Sequence, residues 1–497
     1  MSLNPTVSEV EDLLVYNRSR VELEGTSFFL ARKVGSEEKL LGVQGPVTDL
    51  EGAQPGPGGS HLYPLTSGNA LALRRRFPWL APTPLGLMTS AGFGDRLGMA
   101  TPGHIRALRQ VPQGQERIAP IFAQQSVREN TRTGRSPQQV VDDATWGLLQ
   151  EGWNSPWGAD ADHLKTPSVT GDFVEAGYTF FTIDPGDWVD DAAESAAQVD
   201  LADRIESLPW DTLEDSQGDL EARYLDSSFA VEGPAQMFDR EILWRAAAKY
   251  GAAVSHTVAM YRHLLGAMGS RSFDLEVSVD ETSTTTSVAE HFYIVSELRR
   301  LGVQWVSLAP RFVGSFEKGV DYIGDLDRFA GEFAQHAALA KELGPYKISL
   351  HSGSDKFSIY GIAADLAGSR SGQAQGPLIH LKTAGTSYLE ALRTVAEVDS
   401  PLFREILTFS RGCYEADRAT YHVSGQLDKV PALAALGDLA LPGLLDDFDA
   451  RQVLHVTFGS ALDRFGAQLK SVLGSHEETH YDFLQAHFVR HLAPFVG

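Results

Sequence analysis

The stretch FDLEVSVDE (273–281) decides the architecture. Read as a strand, it puts Leu275, Val277 and Val279 on one face and Glu276, Ser278 and Asp280 on the other. In a barrel wrapped by helices the outer face must be apolar, so the acidic face turns inward. Three further stretches obey the same rule. In YKISLH (346–351), Ile348 and Leu350 go outward, leaving Ser349 and His351 inside. In PLIHLKT (377–383), Ile379 and Leu381 go outward, with His380 and Lys382 inside. In VQWVSLAPR (303–311), Val306 and Leu308 go outward, and Ser307 and Arg311 face the mouth. Such an interior is too polar for a packing layer, because a buried charge without a partner or a metal costs several kcal/mol. Barrel active sites lie at the C-terminal ends of the strands, where most of these residues fall.

Working outward, four more runs complete a set of eight: PLGLMTS (84–90), IAPIFAQQS (118–126), WGADADH (157–163) and YTFFTID (178–184). Helical stretches alternate with them. PGHIRALRQ opens on proline, SPQQVVDDATWGLLQEG follows a Ser-Pro start, and SVAEHFYIVSELRRLG ends on glycine. Strands alternating with helices predict an α/β chain with a TIM-type (β/α)8 barrel. The predicted divisions are an N-terminal α/β extension over 1–80, the barrel over 81–395, and a helical C-terminal extension over 396–497. A helical insertion at about 190–270, after the fourth strand, fills the gap before the fifth. Six or seven strands would instead leave an open sheet.

Composition narrows the function. At 497 residues and 43% hydrophobic content the chain can bury a large core. Its formal charge of -23 argues against nucleic acid or anionic membrane as a partner. No apolar run is long enough to span a bilayer. The N-terminal stretch lacks the apolar block of a secretory signal, and Cys413 is the single cysteine, so a cytoplasmic location is expected. Self-association is left open.

In an acidic protein, clustered cations are informative. Arg128, Arg132 and Arg135 lie in the loop after the second strand, and Lys165, Arg311, Lys356 and Lys382 fall at the ends of later strands. Arginine forks match carboxylates, so an anionic small molecule is implied. The densest cluster is Asp160–Lys165, DADHLK. An ideal strand would put Asp160 and Asp162 on one face and His163 and Lys165 on the other, so a bulge or strand end is expected near Asp162. His163 and His351 are then natural ligands of one divalent metal, with Glu276 or Glu317 as the carboxylate. This mixed nitrogen and oxygen set fits Zn, Mn, Ni, Fe or Co without choosing among them. Gly92, Gly94 and Gly98 do not have the spacing of a dinucleotide-binding loop.

Several stretches between about 84 and 395 resemble the tagaturonate epimerase family of hexuronate catabolism. They are GFGDRLGMATPGHIRAL, PIFAQQSVRENTRTGRSPQQVVDDATWG, GADADHLKT, GYTFFTIDPGDWVD, LAPRFVGSFEKGVDYIGD, ISLHSGSDKFSIY and HLKTAGTSYLEALR. The resemblance implies a TIM-like barrel that interconverts D-tagaturonate and D-fructuronate with a divalent metal. It further implies Asp162 as base, His163 and His351 as metal ligands and Glu276 as acid, and Glu317 is the choice for the remaining ligand. Arg128, Arg132, Lys165, Asp280, Arg311, Lys356, His380 and Lys382 are the expected substrate contacts.

The two keto-uronates differ at a carbon β to the ketone, whose C–H that carbonyl does not acidify directly. A retro-aldol route avoids the difficulty, and direct proton abstraction is the competing route. Other readings stay open: a metal-dependent epimerase or isomerase acting on a neutral ketose or another sugar acid, a barrel glycosidase for uronates using Asp162 and Glu276, or a non-catalytic sugar-acid sensor.

Overall fold

The computed structural model describes residues 7–225, 228–229, 236–368 and 378–496. Eight parallel strands close into a barrel: β1 (Ser90–Gly92), β2 (Ala119–Ser126), β3 (Gly158–Leu164), β4 (Phe180–Ile183), β5 (Asp274–Ser278), β6 (Ser307–Ala309), β7 (Lys347–Leu350) and β8 (Ile379–Lys382). Each pairs with its neighbours in sequence, and β8 closes on β1 through His380 opposite Ser90. The expected (β/α)8 class is therefore the one observed. Pro377, the first residue of the expected eighth strand, lies outside the described residues.

The first strand sits later than expected. PLGLMT is a loop at the base of the barrel, and pairing begins only at Ser90. Two observations explain the shift. The amides of Leu85 and Gly86 donate to Asp274 Oδ2 at 2.6 and 2.9 Å, and Gly86 adopts φ +60°, so the backbone turns there instead of extending. Leu85 then lies against Gly158 at the start of β3, where a Cβ would come within 2.9 Å of its Cδ1.

Ahead of the barrel, residues Val7–Pro64 form an antiparallel sheet. Val21–Leu23 and Thr26–Lys33 make a hairpin whose two turn residues, Glu24 and Gly25, both have positive φ, the turn geometry that matches the twist of paired strands. Between β4 and β5 the chain inserts the helices Gln198–Glu206, Gln217–Leu225 and Arg240–Met268. Beyond β8 it continues through Ser400–Asp417, Phe448–Val456, Phe458–Ser475 and Glu477–Leu492. The last of these joins the barrel's apolar core beside helix Thr101–Gln110, and the other three form a second core with Thr386–Val398. Gly103 is flush against Leu484, and Leu389, Leu392, Phe403, Leu454 and Phe458 are buried together. Among the described residues no helix is long and apolar enough to cross a membrane.

Candidate active site

Strand geometry brings four inward side chains to one point. Lys382 Nζ, at the end of β8, lies 2.9 Å from Asp160 Oδ2, 2.7 Å from Asp162 Oδ1, 2.9 Å from Glu276 Oε1 and 2.6 Å from Thr182 Oγ1. Ser307 Oγ donates to the other oxygen of Glu276 at 2.6 Å. Glu276 is fully buried and Lys382 is 1% exposed, so neither charge is screened by water. Three carboxylates around one ammonium cannot all ionise without cost. Burial, reinforced by Asp162 and Glu276 against the pull of Lys382, pushes Asp160 up to about 7. Burial opposes ionisation of Glu276 as well, but Lys382, His380 and His351 outweigh it and hold that carboxyl down to about 2. Asp162, beside Lys382 and His163, stays well below the usual carboxylate range despite its burial.

The bulge expected near Asp162 is present. Pairing of β3 with β4 loses register between Ala161 and Leu164, and His163 adopts φ +53°. That left-handed residue turns consecutive side chains to the same side, so His163 and Asp162 both reach the mouth. The His163 and His351 rings meet edge to face with centroids 4.5 Å apart. Each imidazole is gripped through Nδ1 by a carboxylate: His163 by Asp184 at 2.9 Å and His351 by Asp280 at 2.8 Å. His351 Nε2, buried, lies 3.2 Å from Asp162 Oδ1 and 3.4 Å from Glu276 Oε1. Against burial, Asp280 and Asp162 raise His351 to about 10, and Asp162 and Glu281 raise His163.

Ligand atoms of Asp162, His163 and His351 lie within 4.8 Å of one another. Carboxylates that fix both Nδ1 positions and leave the Nε2 atoms converging are the arrangement by which outer-shell acids orient metal-binding imidazoles, so these residues fit a divalent ion. Among the described residues two other groups come equally close. Asp355, His487 and His491 already satisfy one another: Asp355 N–H donates to His491 Nε2 at 3.0 Å, and the Arg451 guanidinium is 3.0 Å from Asp355. The third group reuses His163 with Asp184, its orienting acid, and Glu281.

The structure places several expected contacts elsewhere. Glu317 does not join the imidazoles. Its carboxylate accepts from Ser424 N–H, Ser424 Oγ and Gln452 Nε2 at 2.9, 2.7 and 2.8 Å, which ties the loop after β6 to the C-terminal tail. Lys356 Nζ is buried and donates to the carbonyls of Glu317, Val320 and Ser354, so it braces a loop. His380 sits below Lys382 with Nδ1 2.8 Å from Ser90 Oγ, and burial lowers it to about 3. Asp280 orients His351, and Lys165 pairs with Asp187 at 2.7 Å. Arg132 donates to Tyr421 Oη at 2.6 Å, and Arg311 lines an adjoining opening with Arg128 and Glu281.

A cleft of about 470 Å3 opens above Asp162, His163, His351 and Lys382. Its lining also carries Ser352 and residues to which the sequence assigns no role: Arg96, Gln124, Lys318, Tyr421 and His455. Gln124 Nε2 donates to Asp162 Oδ2 at 3.1 Å. Its inward position is hidden by a slip in β2–β3 pairing, from Ile121 opposite Gly158 to Ala123 opposite Ala159. Asp184 had a signal, since it shares strand parity with Thr182. Tyr421 and His455 come from the tail, and nothing local marks them.

A closed parallel barrel whose mouth gathers ionised carboxylates, a buried ammonium and two oriented imidazoles is an enzyme built for acid–base chemistry at the strand ends. The profile of the tagaturonate epimerase family matches residues 16–495. The tagaturonate/fructuronate epimerase of Thermotoga maritima is 42% identical over 491 residues, covering 97% of both chains. The native crystal structure of the fructuronate-tagaturonate epimerase from Cohnella laeviribosi superposes with a TM-score of 0.89 at 36% identity, over 97% of this chain and 96% of that one. A two-glycerol complex of the same enzyme gives a TM-score of 0.89 at 36% identity, over 98% and 97% of the two chains. The chain belongs to the tagaturonate epimerase family and is an isomerase, which replaces the glycosidase and sensor readings.

Proposed function

We propose that the protein interconverts D-tagaturonate and D-fructuronate, the pair that names its relatives, using Asp162 and Glu276 as the acid–base pair. The observation that carries the reading is the pair of carboxylate-held imidazoles beside Asp162, set directly above the Lys382 cluster. His163, His351 and Asp162 would hold the divalent ion, with Asp162 replacing Glu317 as the third ligand. Zn, Mn, Ni, Fe and Co all suit the set. When bound, such an ion supplies Lewis-acid stabilisation of charge developing on the substrate ketone oxygen.

The remaining chemistry belongs to the side chains. Asp162, ionised and at the cleft wall, accepts the proton of the substrate hydroxyl at the epimerised carbon. The adjacent C–C bond opens, giving an enolate and an aldehyde; the aldehyde turns, the bond re-forms on its other face, and the new alkoxide takes a proton back. Glu276 is ionised at rest, so it acts as the acid only after receiving a proton. Asp160, near 7, is the carboxyl of the cluster that carries a proton, and Lys382 stays charged and bridges Asp160, Asp162 and Glu276.

The test is incubation of the protein, loaded in turn with Mn, Zn and Ni, with D-tagaturonate while D-fructuronate is followed by NMR. Interconversion in both directions is expected. No conversion with any of the three ions would refute the reading. An aldehyde-trapping reagent should intercept a three-carbon fragment if the C–C bond opens, and failure to trap it would favour direct proton abstraction.

A further inference from the structure

Lys318 is the cation of the cleft with charge to spare. Of the other cations there, Arg96 pairs with Glu129 at 3.0 Å, Arg128 faces Glu281 at 3.6 Å, and Lys382 is spent on three carboxylates. Lys318 Nζ donates to Ser352 Oγ at 2.9 Å, and among the described residues it forms no ion pair. Its position is prescribed from both sides. The carboxylate of Glu317 is held by Ser424 and Gln452, and the carbonyl of Gly319 accepts from Arg451 Nε at 2.6 Å. A lysine on so constrained a loop is not an ordinary solvated side chain.

His455, 1% exposed, lines the cleft, and its Nδ1 has no hydrogen-bond partner. Burial first, then the positive charges of Arg96 and Lys318, hold this imidazole well below its ordinary range, so it is neutral. A buried polar nitrogen left unpaired is costly unless something bound supplies the partner. Asp162, His163 and His351 share the lining of the cleft with Lys318, His455 and Arg128, so acidic and cationic groups both border it.

We infer that Lys318, with His455 Nδ1 and Arg128 completing the rim, binds the carboxylate of a sugar-acid substrate and sets the preference for sugar acids over neutral ketoses. The inference rests on the proposed hexuronate chemistry and deepens it. A sugar acid has one anionic end and several neutral oxygens. The acidic groups with their ion suit the neutral oxygens, and the cationic groups suit the anion.

Steady-state kinetics on the full, metal-loaded chain test it. Lys318→Met should raise KM for D-tagaturonate about tenfold or more while changing kcat less, as loss of a charge-assisted hydrogen bond requires. Lys318→Arg should restore most of the loss, which a merely structural role would not do. A KM change below about tenfold in Lys318→Met, or Lys318→Arg performing no better than Lys318→Met, overturns the inference. If the unaltered protein does not turn over D-tagaturonate, the hexuronate reading fails separately. Calorimetry with malonate then tests the subsite alone: binding lost in Lys318→Met and kept in Lys318→Arg supports it, and no binding to the unaltered protein, or equal binding to all three, overturns it.

Discussion

Replacing Asp280 by asparagine removes one negative charge and leaves the side-chain shape almost unchanged. In the native site Asp280 accepts from His351 Nδ1 at 2.8 Å and from Ser278 Oγ at 2.5 Å, and it is the leading charge raising the basicity of that ring. An amide can still accept the Nδ1 proton, so the imidazole keeps its orientation, but it loses the charge that makes Nε2 a strong donor. Outer-shell changes of this kind typically weaken a metal site about 10- to 100-fold, which is about 1.4–2.8 kcal/mol. Asp184→Asn acts identically on His163, whose Nδ1 is 2.9 Å from Asp184 Oδ2. The two changes address different rings, so their effects should add in the double variant to within about 0.5 kcal/mol, the spread expected of independent sites. The assay is competition for Mn2+ or Zn2+ against a chromophoric chelator over a pH series, comparing affinities for the deprotonated His351 because losing Asp280 also lowers that ring, with Asp355→Asn as a control. Asp355 lies in a group of similar ligand spacing that Arg451 already neutralises, so its loss should not alter the affinity of this site. If Asp280→Asn and Asp184→Asn both bind as tightly as the native protein, or if Asp355→Asn weakens binding as much as they do, the assignment of His163 and His351 as ligands is wrong.

Metal binding should also report the protonation of His351. That ring, held at about 10, must shed a proton to coordinate, so apparent affinity should fall about tenfold for each unit that pH drops below that value, measured by chelator competition between pH 6 and 9; a flat profile would contradict coordination through His351 Nε2. Lys382→Met should abolish turnover and destabilise the fold by about 3–5 kcal/mol, because it strands buried carboxylates. Without the ammonium those carboxyls have raised folded-state values, so the native state binds extra protons. The loss should then be largest at high pH and shrink as pH falls, which thermal unfolding at pH 5 and pH 8 would reveal. Glu317→Gln should leave metal affinity unchanged yet cost about 1–3 kcal/mol of stability, since its oxygens serve Ser424 and Gln452; a variant that loses metal would restore Glu317 to the ligand set.

The barrel was legible because its strands alternate strictly where it matters. Glu276, His351 and Lys382 were located by the outward placement of Val277, Leu350 and Leu381, and all three converge in space as that parity requires. Where the chain breaks parity, sequence reading loses its footing. The first strand was misplaced because PLGLMT is apolar for a different reason, Leu85 closing the base of the barrel over Gly158. Gln124 was missed because β2 slips by one residue against β3 at Phe122. Glu317 and Lys356 misled because a buried charge near the mouth looks the same in sequence whether it meets a ligand or braces a loop. Only the partners decide, and theirs are Ser424, Gln452 and main-chain carbonyls.

Those partners also explain why the tail belongs to the enzyme's working parts. Ser352 and Ser354, on the loop after β7, line the cleft, and the adjoining Asp355 holds φ +64°, a conformation costly for a residue with a Cβ. What over-determines it is remote in sequence. Arg451, His487 and the His491 ring all close on Asp355, and Thr386 Oγ1 donates to it from the helix after β8. The loop after β6 is pinned by the same tail through Glu317 and Gly319, and Tyr421 covers the side where Arg128 and Arg132 lie beneath its ring at 5.2 and 4.8 Å. Strand ends alone bring Asp162, Glu276, His351 and Lys382 together. The cleft around them is completed from remote sequence, by Tyr421 and His455 of the tail and by loops that Ser424, Arg451 and Gln452 hold in place.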